Sequence, residues 1–198
     1  MIAMLISTVI VSALLAAPSP HHKYGLTEAM PRIDGTIRVA SYNMLNFFDQ
    51  ANDPSLEGEY DDFGMNPGPT SDERCRELAD AIRTMDADII GLEEVESLEA
   101  ITWFRDNYLA DMGYSHIASE DVGYYRGCEQ SLLSRFPIIE TATWPEADLT
   151  KVNRTGGGWD EIPADVDQIS FQRSPLFATV QTPSGYELSL FVLHHKAG

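Results

Sequence analysis

Two periods of hydrophobic and polar positions run along this chain. Leu78, Ala81, Ile82 and Met85 recur at helical spacing, behind Thr70 or Ser71 as a cap and Asp72 and Glu73 in the first turn. The pattern predicts a helix ending near Asp86. Ile89-Ile90-Gly91-Leu92 follows, a short apolar run with the length of a buried strand, ending in Glu93, Glu94 and Glu96. A helix leading into a buried strand is an α/β signature. A second helix is expected over Leu98–Leu109, with Ile101, Phe104 and Leu109 on one face. Strands are expected at Thr36–Ser41, Ser115–Ala118, Ser131–Ser134, Pro175–Thr182 and Tyr186–His194, the last two joined by the hairpin turn Pro183-Ser184-Gly185. Pro137 lacks a ladder donor, so a strand should stop or lie at an edge there.

Between these elements the chain is polar. Gln50–Pro69 reads as a surface loop, and its acidic residues lack the spacing of a calcium loop. Trp144–Gln168 reads as a long insertion centred on Gly156-Gly157-Gly158; no Gly-Lys-Ser/Thr follows, so it is not a phosphate loop. Asn153-Arg154-Thr155 matches a glycosylation sequon. Met1–Ala17 is uncharged and largely apolar, with prolines following. It reads as a secretory signal, with an uncleaved membrane anchor as the alternative. The expected organisation is a leader over 1–20, a linker over 21–36 and one domain over 37–198, placed outside the cell or in the periplasm. Cys75 and Cys128 are the only cysteines, and their spacing leaves open one bridge or two thiols.

Composition narrows the function. Of 198 residues, 43% are apolar and 22% charged, enough for one domain with a real core. The net charge of −18 supplies no basic stripe. It argues against a binder whose affinity comes from neutralising phosphates, but not against an enzyme that meets phosphate through a divalent cation. Nothing in the pattern indicates a stable protein partner, and membrane contact is expected only if the leader is retained.

Three strand ends carry candidate chemistry: Ser41-Tyr42-Asn43 ends in an amide, Gly91-Leu92-Glu93-Glu94 in carboxylates and Val192-Leu193-His194 in an imidazole. Amide and carboxylate oxygens suit a hard cation such as Mg²⁺, and an adjacent histidine can orient or protonate a phosphate oxygen.

In this order the motifs resemble the endonuclease/exonuclease/phosphatase superfamily, the metal-dependent fold of pancreatic-type deoxyribonuclease, inositol polyphosphate phosphatases and bacterial sphingomyelinases. The resemblance spans roughly Ile37 to Gly198. It is carried by Ala40–Asn43, Asp86–Val95, Leu133–Ile138, Phe171–Leu176 and Leu193–Lys196, and Tyr42–Asp49 is most similar to an exported bacterial branch. It implies a four-layer α/β sandwich of two mixed β-sheets flanked by helices. It also implies a metal, Mg²⁺ or else Mn²⁺ or Ca²⁺, held by Glu94 with Asn43. His194 and Glu94 would be the catalytic residues, with Arg173 and Asn43 binding substrate phosphate.

Several positions depart from the family pattern. Glu93 stands where the family usually has glutamine, and His195 where it is more often aromatic or aliphatic. An acidic partner for the histidine is expected in Ser119–Tyr125, with Glu120 or Asp121 as candidates. The family's later Asp-x-Asn and final Ser-Asp-His have no counterpart, so the resemblance covers only the first half of that fold. The expectation is an exported phosphoesterase cleaving phosphodiesters, DNA or RNA among them, by in-line attack of water. Phosphomonoesterase or sphingomyelinase-like activity is the alternative. The chain by itself is expected to be inactive, a non-catalytic fragment.

Overall fold

Among the described residues, each of two helices begins at a serine that caps it. The computed structural model describes residues 28–51, 68–122, 127–149, 170–171 and 173–194. The expected leader, most of the Gln50–Pro69 loop, the insertion beyond residue 149 with its sequon, and residues 195–198 lie outside these. Helix α1 (Asp72–Met85) starts at Ser71, whose side chain accepts a hydrogen bond from the Arg74 amide at 3.3 Å. It buries Cys75, Leu78, Ala79 and Ile82. Helix α2 (Leu98–Tyr108) starts at Ser97, which accepts from the Ala100 amide at 3.0 Å, and buries Ala100, Ile101 and Phe104. Both hydroxyls satisfy amides that the first helical turn leaves without partners.

The strands among the described residues are β1 (Val39–Phe47), β2 (Ile89–Val95), β3 (His116–Ser119), β4 (Glu129–Ser134), β5 (Ile138–Ala142), β6 (Leu176–Gln181) and β7 (Glu187–Val192). They form two sheets, a mixed one in the order β1-β2-β4-β3 and an antiparallel one in the order β5-β6-β7. Only β1 and β2 run parallel. The protein is an α/β sandwich, as the helix–strand succession implies. Both helices cover one face of the mixed sheet, where Ile90, Leu92 and Val95 of β2 meet Leu78, Ile82, Ile101 and Phe104. The antiparallel sheet covers the other face, where Ile89, Ala118 and Leu132 meet Leu176, Ala178, Val180 and Val192. Buried on both sides, β2 reads as an unbroken apolar run.

Gly91 sets the spacing of the sheets. A Cβ there would lie 3.1 Å from Cγ2 of Val192, so the absence of a side chain lets β7 pack directly over β2. As Pro137 requires, β4 has ended before it, and β5 beyond it is an edge strand. Two other outer strands, β1 and β7, border a cleft of about 380 Å³ between the sheets, lined by Ser41, Gly91 and Glu93 on one side and Leu190–Leu193 on the other.

Under the starting ends of β1 and β2 lies a charged clasp. Asp86 closes α1 at φ 44 and Asp88 precedes β2. Arg32 Nε meets Asp86 at 2.7 Å and its Nη1 meets Asp88 at 2.9 Å; Arg135 contacts both at 3.0 and 3.1 Å, and Arg38 adds a longer contact to Asp86. Arg32 belongs to the expected linker and fastens it to the domain. Arg135 of the Leu133–Ile138 motif thus serves this foundation, at the end of the sheet opposite the candidate site. Cys75 and Cys128 are buried thiols, with no disulfide between them.

Candidate active site

The candidate site is built on a break in β2. Pairing slips between Glu93 and Val95 of β2 against β4, and between Asn43 and Phe47 of β1 against β2. Glu94 sits at this bulge with φ 61, a left-handed conformation unusual for a residue with a long side chain. Without the slip, alternation would turn Glu94 toward the helices with Ile90 and Leu92. The bulge returns Val95 to the helix-side core and leaves Glu94 at the rim of the sandwich, 8% exposed.

Three of the residues singled out from the sequence converge on that carboxylate. His194, just beyond β7, places Nε2 2.9 Å from Glu94 Oε1. Arg173, before β6 and nearly fully buried, places Nη1 3.4 Å from the same oxygen. The Asn46 amide donates to Oε2 at 3.0 Å, and the Asn43 side chain lies near enough to favour the charged carboxylate. Burial pushes the Glu94 pKa up, but the Asn43 side chain, the neighbouring Arg173 and His194 and the Asn46 amide together outweigh it. The net result is a carboxyl held below its ordinary range.

The other expected members lie elsewhere. Glu93 accepts from Ser41 Oγ at 2.7 Å within the cleft, and Glu96 is buried with its Oε2 accepting from the Asp49 amide. The three clustered glutamates are therefore aimed at three different places. Glu120 does not serve His194; it binds Thr143 Oγ1 at 2.8 Å and Thr141 Oγ1 at 3.4 Å beside β5. Among the described residues, the acidic group facing His194 is Glu94. Reading the sequence misses Asn46 and Ser41. Asn46 acts through its backbone, and its only signal is that asparagine tolerates its φ of 54.

Among the described residues no group of three or more His, Cys, Asp and Glu side chains is arranged to hold a metal ion. The oxygen donors at the site nevertheless fit a hard cation that keeps most of its waters. Glu94 Oε2 and Asn43 Oδ1 each accept one backbone amide, from Asn46 and Leu45, and each retains a second lone pair. Oε1 is shared by Arg173 and His194. No protein-family model matches the chain, and no curated protein matches it significantly.

Proposed function

We propose that this site belongs to a divalent-metal-dependent phosphoesterase, nuclease-like in hydrolysing phosphodiesters. One observation carries the reading: an ionised, buried carboxylate at a strand end shares an oxygen with an arginine and a histidine delivered by two other strand ends. Such a site pairs one negative group with donors suited to phosphate oxygens. Glu94 with Asn43 would hold Mg²⁺, or Mn²⁺ or Ca²⁺ in its place, and the ion would supply neutralisation of charge on the phosphoryl group. The planar guanidinium of Arg173 exchanges Glu94 for phosphate oxygens, which it meets with paired N–H donors. His194, fixed by Glu94 at Nε2, orients or protonates a phosphate oxygen while water attacks in line.

A second reading, a chain that binds but does not turn over, is favoured by the donor set among the described residues, one carboxylate and one amide, with Oε1 already occupied. The test is Mg²⁺-dependent nicking of plasmid DNA by the purified 198-residue chain and by Glu94→Gln, with inorganic phosphate release measured alongside. Nicking lost in the variant supports the phosphodiesterase, and phosphate release without nicking moves the reading to a phosphomonoesterase. Mg²⁺ binding that Glu94→Gln abolishes, with no turnover, supports the second reading. Activity equal in the two proteins sinks the assignment of Glu94.

A further inference from the structure

We infer that Arg74 is a positioning residue for Glu94, acting through the backbone turn between Asn43 and Phe47 in β1. The functional side of this inference rests on the phosphoesterase reading above. Arg74 is the third residue of α1, following Asp72 and Glu73. A cation there opposes the positive end of the helix dipole, so the helix itself gives no reason for an arginine at this place. Its Nη2 reaches across instead and donates to the carbonyl of Met44 at 2.7 Å and to that of Leu45.

Those carbonyls belong to a strained turn. Leu45 and Asn46 both have φ 54, and a left-handed leucine carries the steric cost that only glycine escapes. Leu45 is 64% exposed, so the core does little to hold its side chain in place. The turn is pinned instead from two sides. Arg74 takes its carbonyls, and Asn43 Oδ1 accepts the Leu45 amide at 2.7 Å. The consequence is the direction of the next amide: Asn46 N–H points at Glu94 Oε2, 3.0 Å away. Glu94 lies on its own left-handed bulge. One fixed donor therefore decides where its second oxygen rests, and hence whether that oxygen faces the site.

The test compares Arg74→Met, which keeps the stem and removes the donors, with Arg74→Met combined with Leu45→Gly. Glycine adopts the turn without the steric cost, so it stands in for the missing clamp. Hydrogen exchange of the Asn46 amide is read by NMR against the Leu133 amide in β4, and Mg²⁺ affinity is read by calorimetry. Losing a charge-assisted tether of this kind is expected to speed Asn46 exchange and weaken Mg²⁺ binding by about tenfold each, with Leu133 unchanged. The glycine variant should recover both. Equal acceleration at Asn46 and Leu133 would mean Arg74 only stabilises the fold and would overturn the inference, as would an absent rescue or an unchanged Asn46. A wild-type chain that binds no Mg²⁺ removes the phosphoesterase reading alone, because Asn46 exchange still decides the role of Arg74.

Discussion

Replacing Asp86 with asparagine isolates the charge of the clasp, because asparagine tolerates the φ of 44 at which Asp86 closes α1. The Arg32 hydrogen bond, with help from Arg135, overcomes partial burial and lowers the Asp86 carboxyl from 3.8 to about 2. That difference corresponds to about 2.5 kcal/mol of stability at neutral pH. The side chain is 26% exposed, and solvent screening reduces the contribution to roughly 1–2 kcal/mol. The sign follows from a depressed carboxyl: the stabilisation is complete above the unfolded value and disappears as pH falls from about 4 toward 2. Urea denaturation of both proteins at pH 7, 5, 4 and 3 gives the difference directly. The variant should be less stable by roughly 1–2 kcal/mol at pH 7, a loss of about 2–8 °C in Tm, and the gap should shrink below pH 4. A gap that stays constant down to pH 3, or one under about 0.5 kcal/mol at pH 7, would refute the electrostatic account.

Two further outcomes follow from packing. Gly91→Ala should cost about 1–3 kcal/mol in urea denaturation, because the new methyl meets Val192 at 3.1 Å, and Val192→Ala in the same background should return part of it. Absence of any cost would mean the sheets separate freely at β7. Both thiols should resist a water-soluble disulfide reagent in the native protein and react in denaturant. Rapid native labelling of Cys75 would contradict its burial within α1.

The legible parts of the fold were those with local causes. The first helix shows a cap, an acidic first turn and an apolar stripe, the second an apolar face, and β2 shows its double burial as an apolar run. β1 is less legible. An alternating strand ending at Ser41 is expected, yet the strand runs on through Phe47, since pairing with β2 overrides the irregularity of Leu45 and Asn46. Asn43, Glu94 and His194 were visible as polar residues ending apolar runs. The bulge that re-aims Glu94 was not, because no glycine or asparagine marks it. Arg74 carried no signal either, since its carbonyl partners 29 and 30 residues away exist only once α1 has docked. His194 with Glu94 in place of Glu120 is likewise a decision of tertiary structure.

The parallel run of β1 and β2 puts the arginine–aspartate clasp under one end of both strands and Glu94 at the other. Six residues of strand separate Asp88 from Glu94, about 20 Å at strand rise. That is more than twice the distance over which charges sense one another at physiological salt, about 8 Å. Changes at the two ends should therefore combine additively. For an evolving lineage, the donors at the rim can be exchanged one by one for other chemistry while the anchorage beneath stays untouched. For an engineer, stability can be added at the foundation without retuning the working end.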